Sequence, residues 1–140
     1  MNQKITIREV SKDEVWMNHN HIRLIEDQVF HIVACGEQTS EMAYTYLDIF
    51  DRMLSGSSKP VSYLVDLNQA GRNSSEARRV WKQIGDCAQT HRIALFGLHP
   101  VAEVLACFVI GISNEQEMRF FRNETAAMNW LRKEPVSRKQ

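Results

Sequence analysis

The sequence lacks both a net charge and a long hydrophobic run. Its 17 lysine and arginine residues balance 17 aspartate and glutamate residues, so no long-range positive field attracts nucleic acid or an anionic membrane. The longest uncharged apolar run, residues 104–112, has nine residues, whereas a helix that crosses a membrane needs about 20. We therefore expect neither nucleic-acid binding nor a membrane span.

Cysteine and glycine are also scarce, and neither forms a known motif. The three cysteines, Cys35, Cys87 and Cys107, have no C-x-x-C spacing, which favours reduced thiols that pack as small hydrophobic residues. The six glycines form neither a G-x-G-x-x-G nor a G-x-x-x-x-G-K phosphate loop. The first residues lack the apolar core of a secretory signal. These absences predict a cytoplasmic protein without a cofactor.

The overall composition and the length of the chain are typical of one folded domain. The 140 residues are 44% hydrophobic and 24% charged, which is far from the signature of disorder. A chain of this length forms one domain rather than two undersized ones. We expect the domain to cover residues 1–134 and residues 135–140 to form a solvated C-terminal tail.

The hydrophobic pattern switches repeatedly between the strand period and the helix period, which predicts an α/β fold. The two runs on either side of Glu26 and Asp27 are so close that they form an antiparallel hairpin. We predict a mixed sheet of about five strands, with an N-terminal β-hairpin followed by β-α repeats, and about four helices. Strands are expected near 5–7 (a weak one), 21–26, 28–35, 61–67, 91–98 and 117–122, and helices near 40–54, 74–88, 101–112 and 124–131.

The distribution of apolar residues also predicts where individual strands lie in the sheet. Strand 28–35 is apolar on both faces, which is typical of an interior strand. Strand 91–98 is almost continuously apolar and is expected at a central position. Strand 117–122 carries Arg119, which suggests an edge.

The expected binding site lies in the loops that follow the parallel strands, because ligands in open α/β sheets collect there, beside helix N-termini. Residues 68–73 are polar and include a glycine, so we expect a loop. Asn73, with Glu76 three residues later, predicts the N-cap of the next helix. The residues predicted to share one partner- or ligand-binding rim are Asp66, Arg72, Asn73, Ser74, Ser75 and His99.

Catalytic and metal sites receive less support from the sequence. A Ser/His/Asp set can be assembled from the rim, but no G-x-S-x-G elbow is present to supply its geometry. His19 and His21 would share one face of a strand, yet no carboxylate or cysteine nearby in the sequence completes a metal site. We expect them to be exposed hairpin residues, and His31 to be a core histidine with a backbone partner. No catalytic residue and no metal ligand is predicted.

Several of these landmarks, taken together, resemble a known family. They are the hairpin, the strand Tyr63-Leu64-Val65-Asp66-Leu67, the strand Arg92-Ile93-Ala94-Leu95-Phe96-Gly97, and the terminal Arg119-Phe120-Phe121 with residues 126–131. From about His21 to Leu131 the chain resembles the SpoIIAA-like proteins related to the STAS domain. That family includes anti-sigma-factor antagonists and the cytoplasmic domains of sulphate transporters.

The resemblance implies a regulatory role and a phosphorylation site. Antagonist members carry an Asp-Ser-Ser-Gly segment before a helix, and a partner anti-sigma kinase phosphorylates one of its serines. Here the similar place holds Asn73-Ser74-Ser75-Glu76. Glu76 would oppose an incoming phosphate through like charge. Two readings stay open: a phosphoswitch at Ser74 or Ser75, or serines that only satisfy the first N–H groups of the helix.

Two classes of function follow. The first is a non-enzymatic regulatory module that docks a protein partner, kinase-like or sigma-regulatory, through the rim near Ser74. The second is a carrier or sensor of a small, lipid-like apolar ligand, because the almost wholly apolar helix 101–112, with Cys107, Phe108 and Met118, could line a cavity. An edge strand or the outer hairpin also offers a surface for a homodimer.

Overall fold

A computed structural model describes residues 4–26, 28–97 and 118–133, with only the backbone of residues 72 and 73. Within these ranges a seven-stranded sheet carries three helices, so the α/β class is confirmed and the expected five strands are too few. The predicted helix 101–112, His99, Cys107 and the tail 135–140 lie outside the described residues. The strands are β1 (Ile7–Ser11), β2 (Glu14–Met17), β3 (Asn20–Ile25), β4 (Val29–Gln38), β5 (Val61–Asn73), β6 (Thr90–Phe96) and β7 (Met118–Phe121), and the helices are α1 (Ser40–Leu54), α2 (Ser75–Asp86) and α3 (Glu124–Arg132).

The strands lie in the sheet in the same order as in the sequence. The pairs from β1 to β4 are antiparallel, and the pairs from β4 to β7 are parallel. The predicted interior position of β4 is confirmed, as is the edge position of β7, where Arg119 is exposed. The prediction that β6 is central is wrong for the described sheet, in which only β7 separates it from the edge. Its apolar residues are nevertheless buried on both faces, Ala94 and Phe96 under α3 and Ile93 in the cluster under α1 and α2.

The strand that the sequence analysis missed is β2, which pairs with both β1 and β3 and so turns the one predicted hairpin into three. It has only four residues, of which Val15 and Met17 are buried and the other two are partly exposed. Asn18, in the following turn, adopts a positive φ of 54°, a conformation that asparagine tolerates better than most residues. This alternation and this turn residue are the signals of a short strand, but four residues give too little pattern to be recognised.

The predicted loop at residues 68–73 is also wrong, because these residues continue β5. They pair in parallel with the end of β4, where Gln69 lies opposite Cys35 and Asn73 lies opposite Gln38. Gly71 makes the pairing possible, since a Cβ atom at this position would lie 3.2 Å from the backbone carbonyl carbon of Gly36. The extension is held by backbone pairing and not by burial, so its polar composition resembles that of a loop.

The two faces of the sheet bury separate hydrophobic clusters. Helices α1 and α2 cover one face, where aromatic rings pack against one another (Phe30, Tyr46, Phe50, Tyr63 and Trp81). Helix α3 covers the other face with Ala127, Trp130 and Leu131, which pack on Leu64 and Phe96. None of the helices in the described ranges is long and apolar enough to cross a membrane.

The cysteines only partly follow the expectation that they are core residues. Cys35 is half-buried in β4, but Cys87 is exposed. Cys87 is the C-cap of α2, so it comes after the buried stripe of that helix has ended. The prediction that it packs as a small core hydrophobe is therefore wrong.

A buried polar network fixes the second hairpin to the end of β4. The Asn20 side chain is fully buried, and its Oδ1 accepts hydrogen bonds from the Cys35 N–H (2.7 Å) and from Gln38 Nε2 (3.2 Å). Its Nδ2 donates to the carbonyl oxygen of Met17 at 2.9 Å. The Tyr46 hydroxyl donates to Gln38 Oε1 at 3.4 Å. A single amide thus connects β2, β3 and β4.

We predict that Asn20→Ala lowers the free energy of unfolding by about 1–3 kcal/mol, because it leaves the Cys35 N–H buried without its acceptor. His19→Ala, a change at the exposed neighbouring residue, should stay within about 0.5 kcal/mol of the wild type. Urea unfolding followed by circular dichroism measures both values. Equal losses in the two variants would contradict the structural role given to Asn20.

Candidate functional site

The start of α2 holds the two serines of the predicted rim. Ser74 is the N-cap, and its hydroxyl accepts the N–H of Ala77 at 3.0 Å. Ser75 is the first helical residue and is exposed. The prediction that Asn73 is the cap is wrong by one residue, because the backbone of Asn73 still pairs with β4. The two serines therefore differ: one hydroxyl is used by the helix and the other faces solvent.

A tyrosine from α1 lies beside this helix start. The hydroxyl of Tyr44 donates a hydrogen bond to Glu76 Oε2 at 2.9 Å, and Tyr44 is 49% exposed. This hydrogen bond to Glu76 raises the pKa of Tyr44 above its ordinary value. We call Tyr44, Ser74, Ser75 and Glu76 the serine surface. It joins α1 to α2 through the hydrogen bond between Tyr44 and Glu76, at the helix start where Ser75 is exposed.

The remaining residues of the predicted rim do not all gather there. The side chains of Arg72 and Asn73, and the whole of His99, lie outside the described residues. Asp66 lies between Val33 of β4 and Phe96 of β6, eight residues before Ser74. At about 3.3 Å per strand residue this corresponds to roughly 25 Å along β5. The structure thus separates Asp66 from the two serines.

Asp66 instead belongs to a compact turn at the carboxyl end of β6. Its Oδ1 accepts the backbone N–H and the side-chain amide of Asn68, both at 2.9 Å. Asn68 packs over Gly97, where a Cβ atom would come within 2.5 Å of the Asn68 amide. Gly97 also has a φ of +89°, which favours a residue without a side chain. Asp66 is therefore held by local bonds at this end of the sheet.

A second group of polar side chains, which the sequence analysis did not predict, lies on the face of the sheet that α3 covers. The strand register places Glu14 opposite Arg23 and Arg23 opposite His31, in one row across β2, β3 and β4. Arg23 Nη2 lies 3.1 Å from His31 Nδ1, and His31 Nε2 lies 3.8 Å from Glu124 Oε2 at the start of α3. His21 lies two residues before Arg23 on β3 and reaches Glu14 of the row diagonally. We call these five residues the histidine cluster.

His21 is more strongly partnered than an exposed hairpin residue would be. Its Nε2 lies 2.6 Å from Glu14 Oε2, and its ring stacks on Trp16 with centroids 4.2 Å apart. Glu14 reaches His21 across the hairpin from β2, a partner that the sequence analysis did not predict. The prediction that His21 is exposed is wrong, because its side chain is only 19% exposed. His19 is exposed, as predicted. Within the described residues no three side chains of metal-binding type come together.

His31 is buried, as predicted, but its partners are side chains and not the backbone. A guanidinium nitrogen only donates, so His31 Nδ1 accepts from Arg23, and the neutral ring carries its proton on Nε2. Burial lowers the pKa of His31 below 6.5, and the nearby positive charge of Arg23 lowers it further, whereas Glu124 and Asp66 act in the opposite direction. The folded protein therefore favours the neutral imidazole.

This lowered pKa makes stability depend on pH. Below pH 6.5 the unfolded chain binds a proton at His31 more readily than the folded chain, so the free energy of unfolding should fall as the pH falls, by at most about 1.4 kcal/mol per pH unit. His31→Gln keeps an acceptor for Arg23 without this titration, so it should flatten the decline between pH 6.5 and 5. His19→Gln is the control and should keep the wild-type slope. Urea unfolding across this range tests the assignment, and identical slopes in all three proteins would refute it.

The two serines should also differ in their contribution to stability. Ser74→Ala removes the cap of α2 and should cost about 1 kcal/mol, whereas Ser74→Asp keeps a capping oxygen and should cost much less. Ser75→Ala should stay within about 0.5 kcal/mol of the wild type. Thermal unfolding provides the measurement. A larger loss for Ser75→Ala than for Ser74→Ala would show that the cap is assigned to the wrong residue.

The serine surface does not have the connections of a nucleophilic site. Nucleophilic catalysis by serine needs a base within hydrogen-bond reach. Among the described residues no hydrogen bond joins Ser74 or Ser75 to a histidine or to a carboxylate. What this geometry offers is an exposed hydroxyl, an aromatic ring and an acidic group at the start of a helix.

Comparison with known proteins supports the fold and identifies the family. The structure is similar to the crystal structure of an uncharacterized protein from the DUF3478 family with a SpoIIAA-like fold, from Shewanella loihica PV-4. The TM-score is 0.60 at 18% sequence identity, and the match covers 94% of this chain and 98% of that chain. The SpoIIAA-like fold predicted from the sequence is thus confirmed.

The family follows from a match at the level of sequence. Residues 24–134 match the family described as "Domain of unknown function (DUF7793)", and the chain belongs to this family. No curated protein matches the chain. The comparisons therefore establish the fold and the family. Neither the family description nor the similar structure names an activity.

Proposed function

We propose that the protein is a non-enzymatic regulatory module that binds a protein partner through the serine surface. The observation that carries the proposal is the position of Tyr44, which is about half exposed and held by Glu76 beside Ser75. Tyrosine side chains are enriched among the residues that dominate binding at interfaces. A ring that is already held in place loses little conformational freedom when a partner binds.

The charges around Tyr44 support recognition of a polar partner surface. Arg79 is exposed on α2, and its positive charge acts on the Tyr44 hydroxyl. The carboxylate of Glu76 lies on the same surface. An aromatic ring flanked by one base and one acid favours a partner of complementary charge, and this is the pattern by which interfaces select their partners.

Ser75 is the residue at which phosphorylation would regulate binding. Its side chain is exposed, whereas the Ser74 hydroxyl already accepts the N–H of Ala77. A phosphate on the first residue of α2 would gain from the helix dipole, but it would meet the like charge of Glu76. In both cases the added phosphate changes the charge of the serine surface, to which Tyr44 belongs. A kinase-like or sigma-regulatory partner, as the family resemblance implies, fits such a switch.

The alternative function, a carrier or sensor of an apolar ligand, was predicted from helix 101–112. That segment lies outside the described residues, and the contacts that the structure describes do not test the hypothesis. A homodimer through an edge strand likewise stays a prediction.

Quantitative affinity capture from the host tests the proposed docking. Tyr44→Ala and Ser75→Asp should each reduce capture of a specific partner by about tenfold, since loss of one dominant contact costs about 1.4 kcal/mol or more. Asn129→Ala and Thr125→Asp are the controls: both positions are exposed on α3, and Thr125 lies in the first turn of its helix as Ser75 does. Equal capture by all five proteins, including the wild type, would rule out the serine surface as the docking site.

A further inference from the structure

A cleft of about 680 Å³ opens at the end of the sheet away from the serine surface. It lies at the amino ends of β4, β5 and β6 and at the C-terminal end of α3, where Val29, Ser62 and Leu131 line it. Its volume is within the range of about 300–1,000 Å³ that is usual for small-molecule sites. We call this site the basic cleft.

The buried part of the basic cleft combines apolar side chains with one hydroxyl that has no partner. Val29 is 5% exposed, Leu131 is 6% exposed and Ser62 is 6% exposed. No described residue forms a hydrogen bond with the Ser62 hydroxyl. Ser62 is not one of the described residues whose side-chain polar atoms are both fully buried and unpaired, so its hydroxyl keeps some exposure and can bond to a molecule that enters the cleft.

The outer part of the basic cleft is positively charged. Lys59, Arg132 and Lys133 line it together with one carboxylate, Glu26. That carboxylate lies 3.4 Å from Arg132. Among the described residues neither lysine has an ion-pair partner. Lys59 and Lys133 thus line the same cleft as the apolar side chains of Val29 and Leu131, and this lining favours an anion that has an apolar body.

The wall that carries Lys59 is fixed before any ligand binds. Gln28 Nε2 donates to the carbonyl oxygens of Lys59 (2.9 Å) and Pro60 (3.1 Å), and Gln89 Nε2 donates to the Lys59 carbonyl at 2.8 Å. The Ser57 hydroxyl holds Gln28 in place by donating to its Oε1 at 3.0 Å. A wall held by two glutamines needs little rearrangement on binding, which favours affinity.

The C-terminal end of α3 would repel an anion if its carbonyl groups were left unpaired. Arg92 prevents this, because its Nη1 donates to the carbonyl oxygens of Trp130 (2.5 Å) and Lys133 (2.9 Å). The guanidinium also lies over the Trp130 ring, 4.9 Å from its centroid. The helix end is therefore already neutralised from inside the protein, and the lysines of the cleft remain available.

We propose that the basic cleft binds a small organic anion whose carboxylate or phosphate group contacts Lys59 and Lys133. The apolar body of this ligand packs on Val29 and Leu131, and its polar atoms reach the Ser62 hydroxyl. The site does not depend on the proposed docking function, because no residue of the serine surface lines the cleft.

Two-dimensional amide NMR on the full chain tests the proposal with four probes: sodium octanoate, octyl phosphate, octanol and inorganic phosphate. At least one of the two amphipathic anions should shift the amides of Val29, Ser62 and Leu131 in a saturable way, and comparing the two identifies the preferred head group. Octanol lacks the charge and inorganic phosphate lacks the apolar body, so each should bind at least tenfold more weakly. Inorganic phosphate that binds as tightly as the amphipathic anions, or shifts confined to other residues, would overturn the proposal.

Charge reversal provides the second arm of the test. Lys59→Glu should weaken binding of the better anion at least tenfold, and Ser62→Ala should weaken it severalfold. Lys12→Glu makes the same charge change at an exposed turn near the opposite edge of the sheet and should leave binding unchanged. Amide spectra without ligand confirm that each variant is folded. Equal affinities for the Lys59→Glu and Lys12→Glu proteins would show that the cleft does not hold the anion.

Discussion

The parallel pairing of β4 with β5 is the interaction on which the rest of the structure depends. It joins the antiparallel half of the sheet to the parallel half. At one end the N–H of Ser62 donates to the carbonyl oxygen of Gln28 at 3.1 Å, and at the other end the N–H of Ser74 donates to that of Gln38 at 3.1 Å. The same ladder therefore positions the floor of the basic cleft and the first turn of α2. Two surfaces at opposite ends of the molecule thus depend on one strand pair, whose register shifts twice, between Val33 and Cys35 and between Gly36 and Gln38.

Register also explains the histidine cluster. Side chains on neighbouring strands face one another only when the pairing is correct, and a slip of one residue moves every side chain to the other face. Arg23 meets His31 because these residues lie opposite each other in β3 and β4. Glu124 then reaches His31 from α3, so the cluster connects the N-terminal hairpins to the last described helix. The polar groups of the histidine cluster lie at the start of α3, beside Glu124, and the apolar contacts of α3 with the sheet come later in the helix.

Local signals in the sequence were sufficient for the βα units but not for the pairing between them. Thr39 and Asn123 cap α1 and α3 as their residue types predict, because capping depends on a few adjacent residues. The short strand β2 was missed because its four residues give too little pattern, although Val15 and Met17 are buried. The polar end of β5 was missed because backbone pairing and not side-chain burial holds it in the sheet. The Glu14–His21 pair of the histidine cluster depends on β2, so it could not be predicted without that strand. The contrast between the hydroxyls of Ser74 and Ser75 likewise required the last residue of β5 to be known.

The close approach of Gly71 to Gly36 limits how this region can change during evolution. A side chain at position 71 would place its first carbon 3.2 Å from the backbone of Gly36, so the end of β4 would have to move by a few tenths of an ångström. The exposed position 71 is therefore constrained by the neighbouring strand and not by solvent. A larger residue there would disturb the pairing that immediately precedes α2.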